Sequence, residues 1–470
     1  MTALTAVTEE RHTGGGTDGA WTTWWRWPLA FAFCLLAPWA LLTRLGEAEG
    51  SGDHGWSLAV MVVAGWCLAG ILASGRPVLY ATVAWAFTYI FMGAIPVAQI
   101  LSNQFPTTTP RIAEYMVGPA GQAVAVGVAA MALGMGLSRG RAARSLLTRE
   151  VAGGRTFALV ALTYAFVAYS LSKTGVAPLF ESRDALLFAR NSAWRDTATV
   201  AVMTGASLAL PLVSVHALVR LRDQQRARGD RARHGIALTA MTLTLLVTIN
   251  PISSPRITFG TALLSLAVAF GAFRTKNRTR LMVASIVVGL VVVFPAADAF
   301  RRDQAQVTAI DVQSLVTKGD YDAFAQMTNT MLYVDRYGDT DWRQAAGVVT
   351  FWVPRSLWPD KPTDTGAYLA RFRGYEFRNL SEPLWGEGYI NGGWIGLAVV
   401  MGGFGYLAGR GDRRILRSAR AGRAPGILDA ILPFYSVIIL RGSLLQATAG
   451  LAVLAVTAWA VTRPTSATGR

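Results

Sequence analysis

Over 470 residues the chain is 52% hydrophobic and only 15% charged, whereas a soluble protein carries charge on roughly a quarter of its residues. Mean hydropathy is +0.36, which excludes an ordinary soluble domain. The net charge of +16 does not point to nucleic acid, because its distribution follows the positive-inside rule of membrane proteins.

Residues 1–26 are polar and contain Gly14, Gly15 and Gly16 in succession. They read as a disordered cytoplasmic tail and lack the pattern of a cleavable signal. Apolar runs then recur at 27–43, 56–74, 78–101, 116–137, 156–173, 198–219, 235–250, 257–273, 281–298, 389–409, 427–440 and 443–462. Most are long enough to cross a bilayer core as helices; those at 235–250 and 427–440 are short. The fold class expected is an all-α polytopic membrane protein with about twelve transmembrane helices. Helices 1–9 fill 27–298, an extracytoplasmic segment fills 299–388, helices 10–12 fill 389–462, and 463–470 form a second cytoplasmic tail.

Charge fixes the expected orientation. Loops 139–155, 220–234, 274–280 and 410–423 together hold 21 Lys and Arg against 4 Asp and Glu. All four fall on one side of a twelve-helix chain, so that side and both termini are expected in the cytoplasm. The stretch 301–388 falls on the other side and carries 10 bases and 12 acids. Its apolar pattern (Leu315, Val316, Phe324, Met327, Met331, then Trp342, Val349, Phe351 and Trp352) predicts amphipathic helices lying on the membrane.

Several chemistries drop out. No Walker-type phosphate loop is present, and no Gly-x-Ser-x-Gly elbow. His12, His54, His216 and His234 have no ligand spacing, so neither a metal nor another cofactor is expected. Cys34 and Cys67 lie in the first two apolar runs and read as small packing residues.

What remains is arginine, carboxylate and aromatic chemistry at the outer face. Arg183 and Arg190 lie seven apart, on one face if helical. Arg256 follows Ser254-Pro255 at a helix start, where free N–H groups favour a phosphate. Arg301 and Arg302 end the helix before the long segment. Within that segment, Val353-Pro354-Arg355-Ser356-Leu357-Trp358-Pro359-Asp360-Lys361-Pro362 uses three prolines to fix the backbone, holding Arg355 and Lys361 beside an interface-seeking indole. Arg441 sits in the tight turn Arg441-Gly442-Ser443. Any one of these cations alone reads as snorkelling to the interface; together they match an anionic, lipid-linked substrate, since arginine grips phosphate oxygens in a bidentate fork. Glu387, between Gly386 and Gly388 at a helix N-terminus, reads equally as a capping group or as a general base, with Asn391 on its face. Gly392, Gly393 and Gly396 predict close helix packing.

The spacing of Ser254-Pro255-Arg256, the segment Pro354–Pro362, the helix entry Gly386-Glu387-Gly388-Tyr389-Ile390-Asn391-Gly392-Gly393 and Leu440-Arg441-Gly442 resembles the O-antigen polymerase family, the oligosaccharide repeat-unit polymerases of bacterial surface glycans. The similarity spans about residues 155–450 and is clearest over 351–396. The resemblance implies a metal-independent glycosyltransferase of the bacterial cytoplasmic membrane. It would polymerise polyprenyl-diphosphate-linked oligosaccharides at the outer face, with a flippase and chain-length regulator proteins as partners. Carried over by position, substrate arginines fall on Arg256, Arg355 and Arg441, with Arg183 and Arg190 as further candidates. Related ligases use a histidine in the outer loop, and none occurs over 299–388, which shifts the base role to Glu387, with Asp360 and Glu382 as alternates.

Two other classes fit the same sequence. One is a different lipid-dependent glycosyltransferase, O-antigen-ligase-like or with its acids in the first outer loop (Glu47, Glu49, Asp53). The other is a lipid-linked glycan transporter, which a ninety-residue outer segment and the lack of a repeat between halves disfavour.

Overall fold

The computed structural model describes residues 18–45, 52–138, 149–194, 196–230, 234–289, 316–377 and 379–464. The chain is overwhelmingly helical. Among the described residues eight helices are long and apolar enough to cross a membrane, namely Trp24–Leu45, Gly55–Ser74, Leu79–Leu101, Glu114–Leu137, Gly153–Thr174, Thr199–Ala227, Leu384–Arg420 and Leu444–Val461. Gly235–Thr248 and Arg256–Ala269 are shorter apolar helices. Ile427–Arg441 and Lys276–Val288 are helical too, so each of the twelve apolar runs carries a helix.

Several boundaries differ from the sequence reading. The first helix begins at Asp18, inside the stretch read as a tail. The helices expected at 389–409 and 198–219 continue to Arg420 and Ala227, because Arg, Gln and Ala are good helix formers and a helix need not stop where hydropathy does. Residues 1–17, Glu47 and Glu49, residues 139–148 of loop 139–155, residues 290–300, Arg301, Arg302 and Leu315 lie outside the described residues. The described strands, Arg149–Val151 and Thr462–Pro464, pair antiparallel.

Hydrogen bonds between connections fall into two sets. Asp412 accepts from the backbone of Tyr80 and Ala81 at 2.9 Å each. Arg280 reaches Ala73 O, Arg220 reaches Pro425 O, and Arg414 pairs with Asp429. These groups all belong to the arginine-rich connections and their neighbours. At the other end Thr107 N donates to Thr317 O, Gln99 donates to Val316 O and Tyr321 O, and Asn250 donates to Leu179 O.

Backbones come closest where side chains are smallest. On the helix Val117–Leu137, a Cβ at Gly134 would overlap the carbonyl of Gly402, and one at Gly405 would overlap that of Met131. The small-residue contact thus lies further along Leu384–Arg420 than Gly392, Gly393 and Gly396. Gly392 and Gly393 instead break that helix, while Gly396 gives the close backbone approach expected of it. Gly393 takes φ 55° with ψ −139°, a conformation open to glycine. The break folds the short piece Leu384–Asn391 back onto the long one, with Gly388 and Gly396 in contact.

The segment after residue 316 departs most from expectation. The helix Ala323–Tyr337 does not lie on a surface, since its residues from Ala323 to Leu332 are all buried. It packs against both the Leu384–Arg420 helix and Val117–Leu137. Its polar side chains are satisfied by residues 375–382: Gln326 donates to Ser381 O at 2.8 Å, Thr330 to Glu382 at 2.7 Å, and Asn329 accepts from Tyr375. By contrast Trp342, Val349, Trp352 and Leu357 are exposed, as interfacial residues are expected to be.

Candidate functional site

Arg256 and Arg441 arrive from opposite ends of two helices and meet on one short turn of the long segment. Arg256 is the first residue of the helix Arg256–Ala269, and Arg441 the last of Ile427–Arg441. Between them lies Gly319–Tyr321, a single 3₁₀ turn. Arg256 Nη1 is 3.0 Å from Asp320 Oδ2. Arg441 Nη2 is 3.7 Å from Asp320 Oδ1 and 3.4 Å from Asp322 Oδ1, and its Nε donates to Asp320 O at 3.0 Å. The arginine side chains are 13% and 17% exposed and Asp322 3%, but Asp320 is 31% exposed. Asp320 is the acid of this group that meets solvent, and it sits where two guanidinium forks converge.

Behind this pair lies a layer of buried acids. Asp322 also accepts from the hydroxyl and N–H of Ser381. Burial pushes its carboxyl up, and Arg441 opposes that. Asp364 caps the helix Thr365–Arg373 by accepting from Ala367 N at 3.0 Å, and burial raises it too. Glu382 is fully buried. One of its oxygens accepts from Thr330, while the other has no partner. Burial first, then the charge of Glu387, holds it well above the usual carboxylate range. An unpaired buried charge is far costlier than a held proton, so this environment favours the protonated form of Glu382.

Glu387 stands in the first turn of Leu384–Arg420 and is 1% exposed. Its Oε1 accepts from Ser443 Oγ at 3.0 Å and from Leu444 N at 2.9 Å, and its Oε2 from Thr365 Oγ1 at 3.0 Å. It thus caps the N-terminus of a different helix, Leu444–Val461, directly after Arg441. All three donors come from the protein, and the carboxylate faces inward. Asn391 is likewise turned to the backbone. Its Oδ1 accepts from Ala345 N at 2.8 Å, and its Nδ2 donates to Glu387 O at 2.7 Å, which fixes the turn before the helix Arg343–Val349.

The remaining sequence candidates lie elsewhere. Arg355 Nη1 donates to Lys361 O at 2.8 Å, and Lys361 Nζ donates to Phe351 O and Val353 O at 2.6 and 2.9 Å. The proline segment therefore uses both cations to satisfy its own carbonyls, which its prolines leave without ladder partners. Asp360 is exposed. Arg183 and Arg190 share the helix Arg183–Ala193, with Arg183 exposed and Arg190 half-buried. Asp53 caps Gly55 N at 2.8 Å. Among the described residues no group of three His, Cys, Asp or Glu side chains is disposed to hold a metal ion.

The sequence reading missed Asp320, Asp322 and Asp364. The available signal was weak: acids two apart in Gly319-Asp320-Tyr321-Asp322, and an Asp before a threonine at a helix start. Compared with known protein families, with curated proteins and with solved structures, the chain matches none.

Proposed function

We propose that this chain is a twelve-helix glycosyltransferase of a bacterial cytoplasmic membrane, with both termini in the cytoplasm. It extends polyprenyl-diphosphate-linked oligosaccharides at the outer face. The observation that carries this reading is the convergence of Arg256 and Arg441 on Asp320, at the end of the bundle opposite the basic loops. Two guanidinium forks from separate helices suit a diphosphate better than one carboxylate does.

In the resting chain Asp320 fills the anion position. An incoming diphosphate takes the two arginines and releases that carboxylate beside the reacting carbon. The acceptor hydroxyl oxygen then bonds to the anomeric carbon, and the bond from that carbon to the diphosphate oxygen breaks. The electron pair leaves with the diphosphate, stabilised by Arg256 and Arg441, and the hydroxyl proton passes to Asp320. Glu387, with its lone pairs committed to Ser443, Leu444 and Thr365, positions Arg441 instead of taking that proton. Arg355 and Lys361 shape the proline loop, away from the arginine pair.

The test is chain extension of purified lipid-linked repeat units by the reconstituted protein, with and without a chelator of divalent metals. Extension that survives chelation and disappears in the Arg256→Ala/Arg441→Ala double variant is the expected result. Transbilayer movement of the substrate without extension makes the chain a transporter and defeats the proposal, as does a strict need for Mn²⁺ or Mg²⁺.

A further inference from the structure

A second group of arginines stands at the far end of the helix that Arg256 begins. There a cleft of about 130 Å³ opens between helix ends, with room for several waters and so for a phosphate group. Arg222 and Arg226 line it from Thr199–Ala227, Leu238 from Gly235–Thr248, and Phe270 and Arg274 from the turn after Arg256–Ala269. Arg222 Nε is buried and has no hydrogen-bond partner among the described residues. Asp223 is the one carboxylate among the lining residues, and it stands 3.9 Å from Arg274, beyond hydrogen-bond reach. Three guanidinium groups thus share one carboxylate, which leaves two positive charges facing the cleft. A buried N–H without an acceptor costs at least a lost hydrogen bond, and an anion in the cleft supplies both the acceptor and the counter-charge.

Depth identifies the anion. The apolar run 198–219 ends three residues before Arg222, so at 1.5 Å of rise per residue the cleft begins about 4.5 Å beyond the apolar part of the helix. That is the level of lipid headgroups, where basic pockets between transmembrane helices hold phosphates. The flank is apolar as well. Phe270 at the rim is 51% exposed, and Ile236, on the helix that carries Leu238, is 89% exposed. A soluble anion would make no use of these side chains, whereas acyl chains would cover them. We propose that this cleft holds the phosphate of an anionic phospholipid on Arg222 and Arg226, with its acyl chains passing Phe270 on the outside of the bundle. The proposal is independent of the transferase reading.

Native mass spectrometry of the full chain in detergent, titrated separately with phosphatidylglycerol, phosphatidylcholine and inorganic phosphate, tests it. One phosphatidylglycerol should bind more tightly than any phosphatidylcholine, and inorganic phosphate should not displace it. Arg222→Gln removes the buried donor and should weaken that binding by roughly tenfold or more. Arg226→Glu, at an exposed position that tolerates the change, supplies an internal carboxylate and should abolish binding, so the question stays decidable if Arg222→Gln does not fold. Arg278→Gln, also exposed and in a neighbouring basic loop but outside the cleft, should leave binding unchanged. Equal binding of the two lipids overturns the proposal, as does undiminished phosphatidylglycerol binding by Arg222→Gln or Arg226→Glu. An equal loss in Arg278→Gln would replace the site by diffuse attraction to the basic surface, and displacement by inorganic phosphate would make the ligand a soluble anion; either result defeats the lipid assignment.

Discussion

Two parts of the segment 316–377 hold cations in opposite ways. Around Gly319–Tyr321 the arginines come from distant helices and grip carboxylates, one of which reaches solvent. In the proline loop Arg355 and Lys361 come from the loop itself and grip carbonyls. Sequence alone weights the second arrangement more heavily, because proline, arginine and tryptophan crowd into ten residues. Yet a proline-fixed loop has orphaned carbonyls to satisfy, and its nearest cations are consumed in doing so. An anion site needs donors whose own partner is an exchangeable anion, and only the first arrangement has one.

Paired substitutions break or sharpen this contrast. The largest expected difference is between two aspartates. Asp320→Asn removes the proposed proton acceptor and should lower the rate of chain extension by about 10²–10⁴-fold. It should also tighten binding of the diphosphate lipid, because the internal competitor has lost its charge. Asp360→Asn, on the exposed rim of the proline loop, should do neither. A normal rate in Asp320→Asn would return the base role to another carboxylate.

Next come the arginines. Arg256→Lys or Arg441→Lys keeps a charge but loses the fork, and a lost transition-state contact costs on the order of 10²–10³ in rate. Arg355→Lys forfeits mainly neutral-acceptor hydrogen bonds, worth about 1 kcal/mol each, and should cost less than about tenfold in rate. Equal losses at Arg355 and Arg441 in the extension assay would show that the loop binds the diphosphate after all.

Much of this molecule was legible before any coordinates. Bilayer thickness imposes run lengths and the positive-inside rule imposes alternation, so both survive in a single sequence. That Arg256 and Arg441 stand at helix ends was legible too, because each is beside a proline or glycine turn. The burial of Ala323–Tyr337 was not legible. Gln326, Thr328, Asn329 and Thr330 make that helix look like a solvated surface element, and what buries it is pairing with Tyr375, Ser381 and Glu382, about fifty residues away. Asp320 was hidden similarly, because nothing in its own neighbourhood reveals that two helices end on it. Glu387 shows a third kind of limit: a carboxylate at a helix start reads alike whether it caps its own helix, caps another or faces a substrate.

Glu387 sharpens the comparison from beneath the arginine pair. Glu387→Gln places an NH₂ among donors, so at least one of Ser443, Leu444 N–H and Thr365 loses its acceptor. Such an orphaned buried donor costs about 1–3 kcal/mol, a lowered melting temperature in detergent is expected, and Arg441 should be loosened with it. Thr365→Ala takes away the donor to Glu387 Oε2 but keeps both bonds to Oε1, so it should lower the melting temperature too while leaving the cap on Leu444 N in place. A variant Glu387→Gln that melts like wild type yet does not extend chains would show a direct chemical role for Glu387 instead of a positioning one.

The smallest effect tests the acid furthest from solvent. Glu382 has one oxygen on Thr330 and the other unpartnered, and burial holds its folded-state value well above the ordinary 4.5. Between those two values the folded chain keeps a proton that the unfolded chain has released. The folded state then binds more protons, so stability falls as pH rises through that window, by about 1.4 kcal/mol for each pH unit over which the proton is fully retained. Glu382→Gln matches the neutral acid in shape and has no proton to lose. Its melting temperature should therefore depend less on pH than that of the wild type, with the gain growing toward alkaline pH and absent near pH 4, about the ordinary glutamate value. Parallel melting curves for wild type and Glu382→Gln across that range would mean that Glu382 is charged in the folded protein. The arginine pair would then lie above a layer of ionised acids, and the diphosphate would have to overcome their repulsion as well as displace Asp320.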